Sequence, residues 1–120
     1  MFLVDTSIWV DHFKSKDGNN SLIQVLEIGF VYMHPMILGE LLLGGFYRNP
    51  KIRNALNSLP QLQEPPAFEV RQFIQDQELV GKGVGWVDAC LIYSGTKERM
   101  QFLTMDQRLA EVYSLALSNH

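Results

Sequence analysis

A single cysteine, Cys90, in 120 residues excludes an internal disulfide. No Cys/His spacing matches a structural zinc site, so the composition points to a reducing compartment. Positive charge is also scarce: 10 Lys plus Arg face 13 Asp plus Glu, for a formal net charge of -3. The broad basic field that drives sequence-independent binding to nucleic acid is therefore missing, and any contact with a polyanion needs positive charge from another source. The opening MFLVDTS has no basic segment followed by a long apolar run, so it does not read as a secretory signal, and the cytoplasm is the expected location. The longest apolar stretch, 35–46, is broken by Glu40 and falls short of the about 20 residues that span a bilayer. What is present is 47% hydrophobic residues with 19% charged, which excludes intrinsic disorder, and a length that suits one domain over 1–120.

Hydrophobic patterning predicts strands alternating with helices. Phe2 to Val4 reads as a strand running into a helix that ends near Lys14, and Lys16 to Asn20 is the strongest turn signal. A helix from Ser21 closes at Gly29, Phe30 to Met33 reads as a strand, and Pro35 opens a helix that runs to Gly44-Gly45. Further on, the pattern predicts a helix over Tyr47 to Ser58, a short strand over Leu62 to Glu64, and a helix from Pro65-Pro66 to about Leu79. A glycine loop, a nearly uncharged helix over Trp86 to Thr96, a strand over Gln101 to Thr104 and a helix over Gln107 to Leu117 complete the chain. Alternation of this kind implies the α/β class, with a mainly parallel sheet between helical layers and functional groups beyond the carboxyl ends of the strands.

Most acidic residues sit where solvated charges belong, among them Asp17, Glu69, Asp76, Glu78, Glu98 and Glu111. Four are embedded in apolar sequence: Asp5 in FLVDTSIWV, Glu40 in MILGELLLGG, Asp88 in GWVDACLIY and Asp106 in FLTMDQRL. A carboxylate taken out of water must protonate, find a donor or bind a cation. Asp5 and Asp106 follow short strands, and no Lys or Arg lies near Glu40 or Asp88 in sequence. Any one of the four is accounted for by a cap, a distant ion pair or an exposed position. Their conjunction suits a hard divalent cation with oxygen ligands, magnesium or manganese, which would also bridge an acidic pocket to a phosphodiester.

The segments FLVDTSIWVDHF, MHPMILGELLLG, GVGWVDACLIYS and FLTMDQRLAEV together resemble the PIN-domain ribonuclease toxins of the VapC type, in order and over nearly the whole chain. The resemblance implies a three-layer α/β/α PIN fold and a catalytic, metal-holding set of Asp5, Glu40, Asp88 and Asp106. Ser7 and Thr104 match the small hydroxyls beside the first and last acids, where they orient carboxylates or water. It further implies a magnesium- or manganese-dependent endoribonuclease that uses metal-activated water, leaving a 3′-hydroxyl and a 5′-phosphate. Such toxins typically form homodimers and are silenced by a VapB-type antitoxin. Asp11 also fits the family pattern, yet reads as a solvated helix residue. Where the family often carries His, this chain has Cys90, read as a small buried hydrophobe.

Ile37, Leu41, Leu42 and Phe46 are placed to serve both core and partner. Arg48, Lys51 and Arg53 beside Phe46-Tyr47, together with Lys82 and Arg108, are the cations available to an RNA backbone, and ordinary surface charge explains them equally. The GKGVGW glycines lack the spacing of a phosphate loop and read as a helix entry. His12, His34 and His120 receive no catalytic role. A haloacid-type phosphatase fails at Ser7, where a second Asp is needed, and a receiver domain lacks an acid pair after the first strand. The remaining alternative is a catalytically inactive PIN-like module that binds protein or RNA, against which the retention of all four acids argues.

Overall fold

A computed structural model describes residues 1–119, so His120 lies outside the described residues. Three short strands, β1 (Phe2–Val4), β2 (Val31–Tyr32) and β3 (Gln101–Leu103), form a parallel sheet in the order β2-β1-β3. The register pairs Leu3 with Tyr32 on one side and with Phe102 on the other. Parallel pairing forces each connection to cross over the sheet, and helices fill those crossings. They are α1 (Thr6–Lys14) and α2 (Asn20–Ile28) between β1 and β2, and α3 (Pro35–Leu43), α4 (Pro50–Ser58), α5 (Ala67–Asp76) and α6 (Trp86–Lys97) between β2 and β3, while α7 (Gln107–Ser118) follows β3. The central strand is consequently sealed, with Leu3 and Val4 wholly buried, in the α/β/α arrangement expected from the sequence.

One apolar cluster joins β1 to α1, α2 and α3 through residues such as Ile8, Trp9, Leu22, Ile37 and Leu41. A second joins α5, α6 and α7 through Phe73, Ile92, Leu109, Val112 and Tyr113, and Phe102 of β3 packs against both. Cys90 is buried, as expected of a small hydrophobe. Among the described residues no helix is long and apolar enough to cross a membrane.

Several element boundaries differ from the patterning, each for a local reason. The helix expected over Tyr47 to Ser58 is a single 3-10 turn, Phe46–Arg48, followed by α4. The ring of Pro50 holds Asn49 extended, and the Asn49 side chain then accepts from the backbone N–H groups of Lys51 and Ile52 to cap the new helix. The strand expected over Leu62 to Glu64 shrinks to one parallel bridge between Met33 and Gln61, because Pro65 and Pro66 have no N–H to extend a ladder. α5 stops at Asp76 rather than Leu79; Glu78, Gly81 and Gly83 all have positive φ, which a helix cannot hold. Phe30 stands outside β2, exposed and in the left-handed region. Asp11 is not simply solvated, since it accepts from Asn19 Nδ2 at 2.9 Å and helps close the α1–α2 turn. Glu69 likewise accepts the hydroxyl of Tyr93 from α6.

His34 is completely buried at the start of α3. Its Nδ1 accepts from Met36 N at 3.0 Å, so the ring proton sits on Nε2, which donates to Ser94 Oγ of α6 at 2.9 Å. Burial lowers its pKa from 6.5 to about 4. Between those values the unfolded chain holds a proton that the folded chain refuses, so stability falls as pH drops from about 6.5 toward 4. The full loss is about 3 kcal/mol. His34→Asn retains a capping side chain and removes the titration. Its urea-unfolding free energy should therefore fall less than that of the unaltered chain between pH 7 and pH 4, and parallel slopes would contradict this account.

Candidate active site

β1 ends at Val4, and Asp5 follows at once in extended conformation as the N-cap residue of α1. Its side chain makes no capping bond. Instead Asp5 Oδ2 accepts two hydroxyls, Ser7 Oγ at 2.8 Å and Thr104 Oγ1 at 2.7 Å. Both hydroxyls are themselves fixed: Ser7 Oγ accepts from Met105 N at 3.1 Å and Thr104 Oγ1 from Asp106 N at 3.1 Å. The buried carboxylate thus stitches the end of β1 to the segment after β3, and two O–H donors offset its desolvation. Oδ1 is left without a partner among the described residues.

Glu40 lies on α3, is exposed, and accepts Thr6 Oγ1 at 2.5 Å through Oε1. Asp106 is exposed at the start of α7, where Oδ1 caps the helix by accepting from Leu109 N at 3.2 Å. Asp88 sits half-buried in the first turn of α6. Its pKa is raised, chiefly by burial and then by the negative charge of Asp5; a hydrogen bond with the Gly85 backbone opposes the rise, and Asp106 and Glu40 add to it. No cation figures among these influences. Four acids from four separate segments therefore share one electrostatic neighbourhood at the carboxyl edge of the sheet.

They do not form a closed cage. Among the described residues no three His, Cys, Asp or Glu side chains come together closely enough to hold an ion. Glu40, Asp88 and Asp106 each take a hydrogen-bond donor of the protein, and like charges gain nothing from closer approach. The chemistry of the donors nevertheless fits a hard divalent cation, since each of the four acids offers carboxylate oxygens and no basic side chain among the described residues figures in the influences on Asp88. Thr6 is the residue that sequence reasoning passes over; its hydroxyl reaches Glu40 across 34 positions, and no local pattern signals such a partner.

Of the cations, Arg108 lies against Gly83, where an added Cβ would collide with its guanidinium, and Lys82 is exposed in the same loop. Arg48 and Lys51 are exposed, and Arg53 Nη1 donates to Tyr47 O at 3.2 Å.

A family model described as the PIN domain matches residues 2–115, which sets the class of the fold. Ribonuclease VapC32 of Mycobacterium tuberculosis, matched in two strains, is 33% identical over 94 residues, 78% of this chain and 74% of that one. A crystal structure of FitAcB from Neisseria gonorrhoeae superposes with a TM-score of 0.62 at 19% identity, covering 95% of this chain and 94% of the other. A crystal structure of PAE2754 from Pyrobaculum aerophilum gives 0.61 at 15% identity over 99% and 96%. These two structures speak for the fold alone. The chain belongs to the PIN-domain family and, within it, to the VapC type.

Proposed function

We propose that this chain is the toxin of a VapBC-type pair, an endoribonuclease dependent on magnesium or manganese, with Asp5, Glu40, Asp88 and Asp106 as its catalytic and metal-holding residues. The observation that carries the reading is the raised pKa of Asp88, moved by burial and by three other carboxylates with no cation among them. Such a pocket costs stability unless positive charge enters it. When bound, the divalent ion supplies that charge to the phosphodiester and acidifies the attacking water.

The chain's own residues do the rest. Ser7 and Thr104 hold Asp5 Oδ2 and so fix the orientation of a carboxylate that would help to hold the ion. Thr6 does the same for Glu40 through Oε1. Asp88 would hold the ion as a carboxylate, the form that its surroundings disfavour until positive charge is supplied. The relative's name, ribonuclease, supports the substrate class, and its VapC type supports an antitoxin partner of the VapB type. Leu42 and Leu43 are 60% and 90% exposed, beside an apolar groove of about 360 Å³ between Pro35, Leu38 and Tyr47, a surface suited to that partner or to a second copy.

Incubation of the purified protein with labelled structured RNAs, with magnesium, manganese or chelator, tests the reading. Cleavage with either metal, none with chelator and none by Asp5→Asn is expected. Cleavage without metal, or at full rate by Asp5→Asn, would refute it.

A further inference from the structure

The loop between α5 and α6 contributes none of the four acids. It frames an apolar slot of about 250 Å³ whose walls include Ile74, Leu79, Val80, Val84, Trp86 and Ala89. Val80 is 84% exposed and Trp86 45%, so apolar and aromatic surface is left open to water at a cost that a purely structural loop has no reason to bear. Two connections join the slot to the acids. Gly85 lines it and hydrogen-bonds Asp88 through its backbone. Arg108, two positions beyond Asp106, crosses to lie on Gly83, whose φ of +72° and missing side chain permit that approach. Lys82 is exposed between Gly81 and Gly83. An apolar floor and an indole therefore stand next to a cluster of carboxylates, with Lys82 in the same loop and Arg108 lying against it.

We propose that this slot receives one unpaired base of the RNA, stacked on Trp86, beside the phosphodiester presented to the acids. The proposal rests on the ribonuclease reading and adds to it a place for one base outside the acidic edge. An unpaired nucleotide matches the arrangement part by part: a flat apolar base for the slot, a phosphate for Arg108 and Lys82, and the neighbouring phosphate for the acidic edge. A base held in a duplex cannot enter, because its faces are already covered by its neighbours.

Cleavage of a single-stranded 12-nucleotide RNA in manganese supplies the first test. Trp86→Ala should raise KM about tenfold, within the range that loss of one base–aromatic stack produces, and leave kcat within about twofold. Trp86→Phe should recover most of the affinity. The second readout is acrylamide quenching of tryptophan emission in Asp88→Asn protein, which is expected to bind without cutting. Trp9 is buried, so the quencher addresses Trp86. The 12-mer should protect Trp86, whereas the same strand in a duplex, or made of abasic riboses, should not. Cleavage with an unchanged KM in Trp86→Ala, or equal quenching with and without the 12-mer, overturns the slot while leaving the ribonuclease reading intact. A change in oligomeric state with unaltered RNA affinity assigns the slot to a protein contact and overturns it too. Failure of the unaltered protein to cut any RNA with either metal overturns the ribonuclease reading itself, and the slot with it.

Discussion

Asp88→Asn should cut RNA about a thousandfold more slowly than the unaltered chain, the equivalent of the several kcal/mol that a metal's charge contributes to a phosphoryl transition state. The same variant should melt no lower in chelator, and that pairing of opposite outcomes is the more telling result. Burial and the charges of Asp5, Asp106 and Glu40 raise the Asp88 pKa in the folded chain. The folded state therefore keeps this proton to a higher pH than the unfolded state. As pH climbs through that window the unfolded chain ionises first, and the contribution of Asp88 to stability declines; at neutral pH it is a penalty. An amide has nearly the same shape and carries no such penalty. Calorimetry in chelator reads the melting temperature, and manganese titration reads the loss of the ion. A large drop in melting temperature would make Asp88 a structural residue, and undiminished cleavage would remove it from the site.

Gly95→Val should destabilise the protein by about 4 kcal/mol, combining overpacking of a tight core with a broken buried hydrogen bond. Gly95 is buried in the last turn of α6, and Tyr113 of α7 rests directly on it. A Cβ at this position would stand 2.5 Å from the Tyr113 hydroxyl and 2.9 Å from Cε2. The ring has little freedom to retreat. Its hydroxyl donates to Met100 O at 2.7 Å, and its other face stacks on Phe102 with centroids 4.7 Å apart. Displacing it strands the Met100 carbonyl just before β3 and disturbs the helix pair that frames Asp88 and Asp106. Urea unfolding should show a graded series, with Gly95→Ala about half as costly as Gly95→Val. Equal stability for all three proteins would mean that Tyr113 has room that the structure does not show.

The contrast between these two sites bears on what was legible in the sequence. Asp5, Glu40, Asp88 and Asp106 stand out as charges set in apolar runs, and the alternation of strands with helices brings them to one edge. Ser7 and Thr104 are readable because each lies two positions from an acid. Gly95 carries no such mark: a glycine within a helical pattern looks tolerated, and only the packing of α7 shows why a side chain is excluded. The same holds for Thr6 with Glu40 and for Tyr93 with Glu69, where the partner lies far along the chain. Boundaries failed where a single backbone angle decided them. Pro50 sets Asn49 extended, and positive φ at Glu78 ends α5, neither of which hydrophobic periodicity registers.

The brevity of the sheet has a consequence for association. Its outer members are β2, two residues long and flanked by the Met33–Gln61 bridge, and β3, three residues long. Edges this short offer too few unsatisfied amide groups to template an incoming strand, which also protects the fold against runaway ribbon-to-ribbon stacking. Recruitment of another polypeptide is thereby left to side chains displayed on helices, and its selectivity to their shape rather than to main-chain pairing.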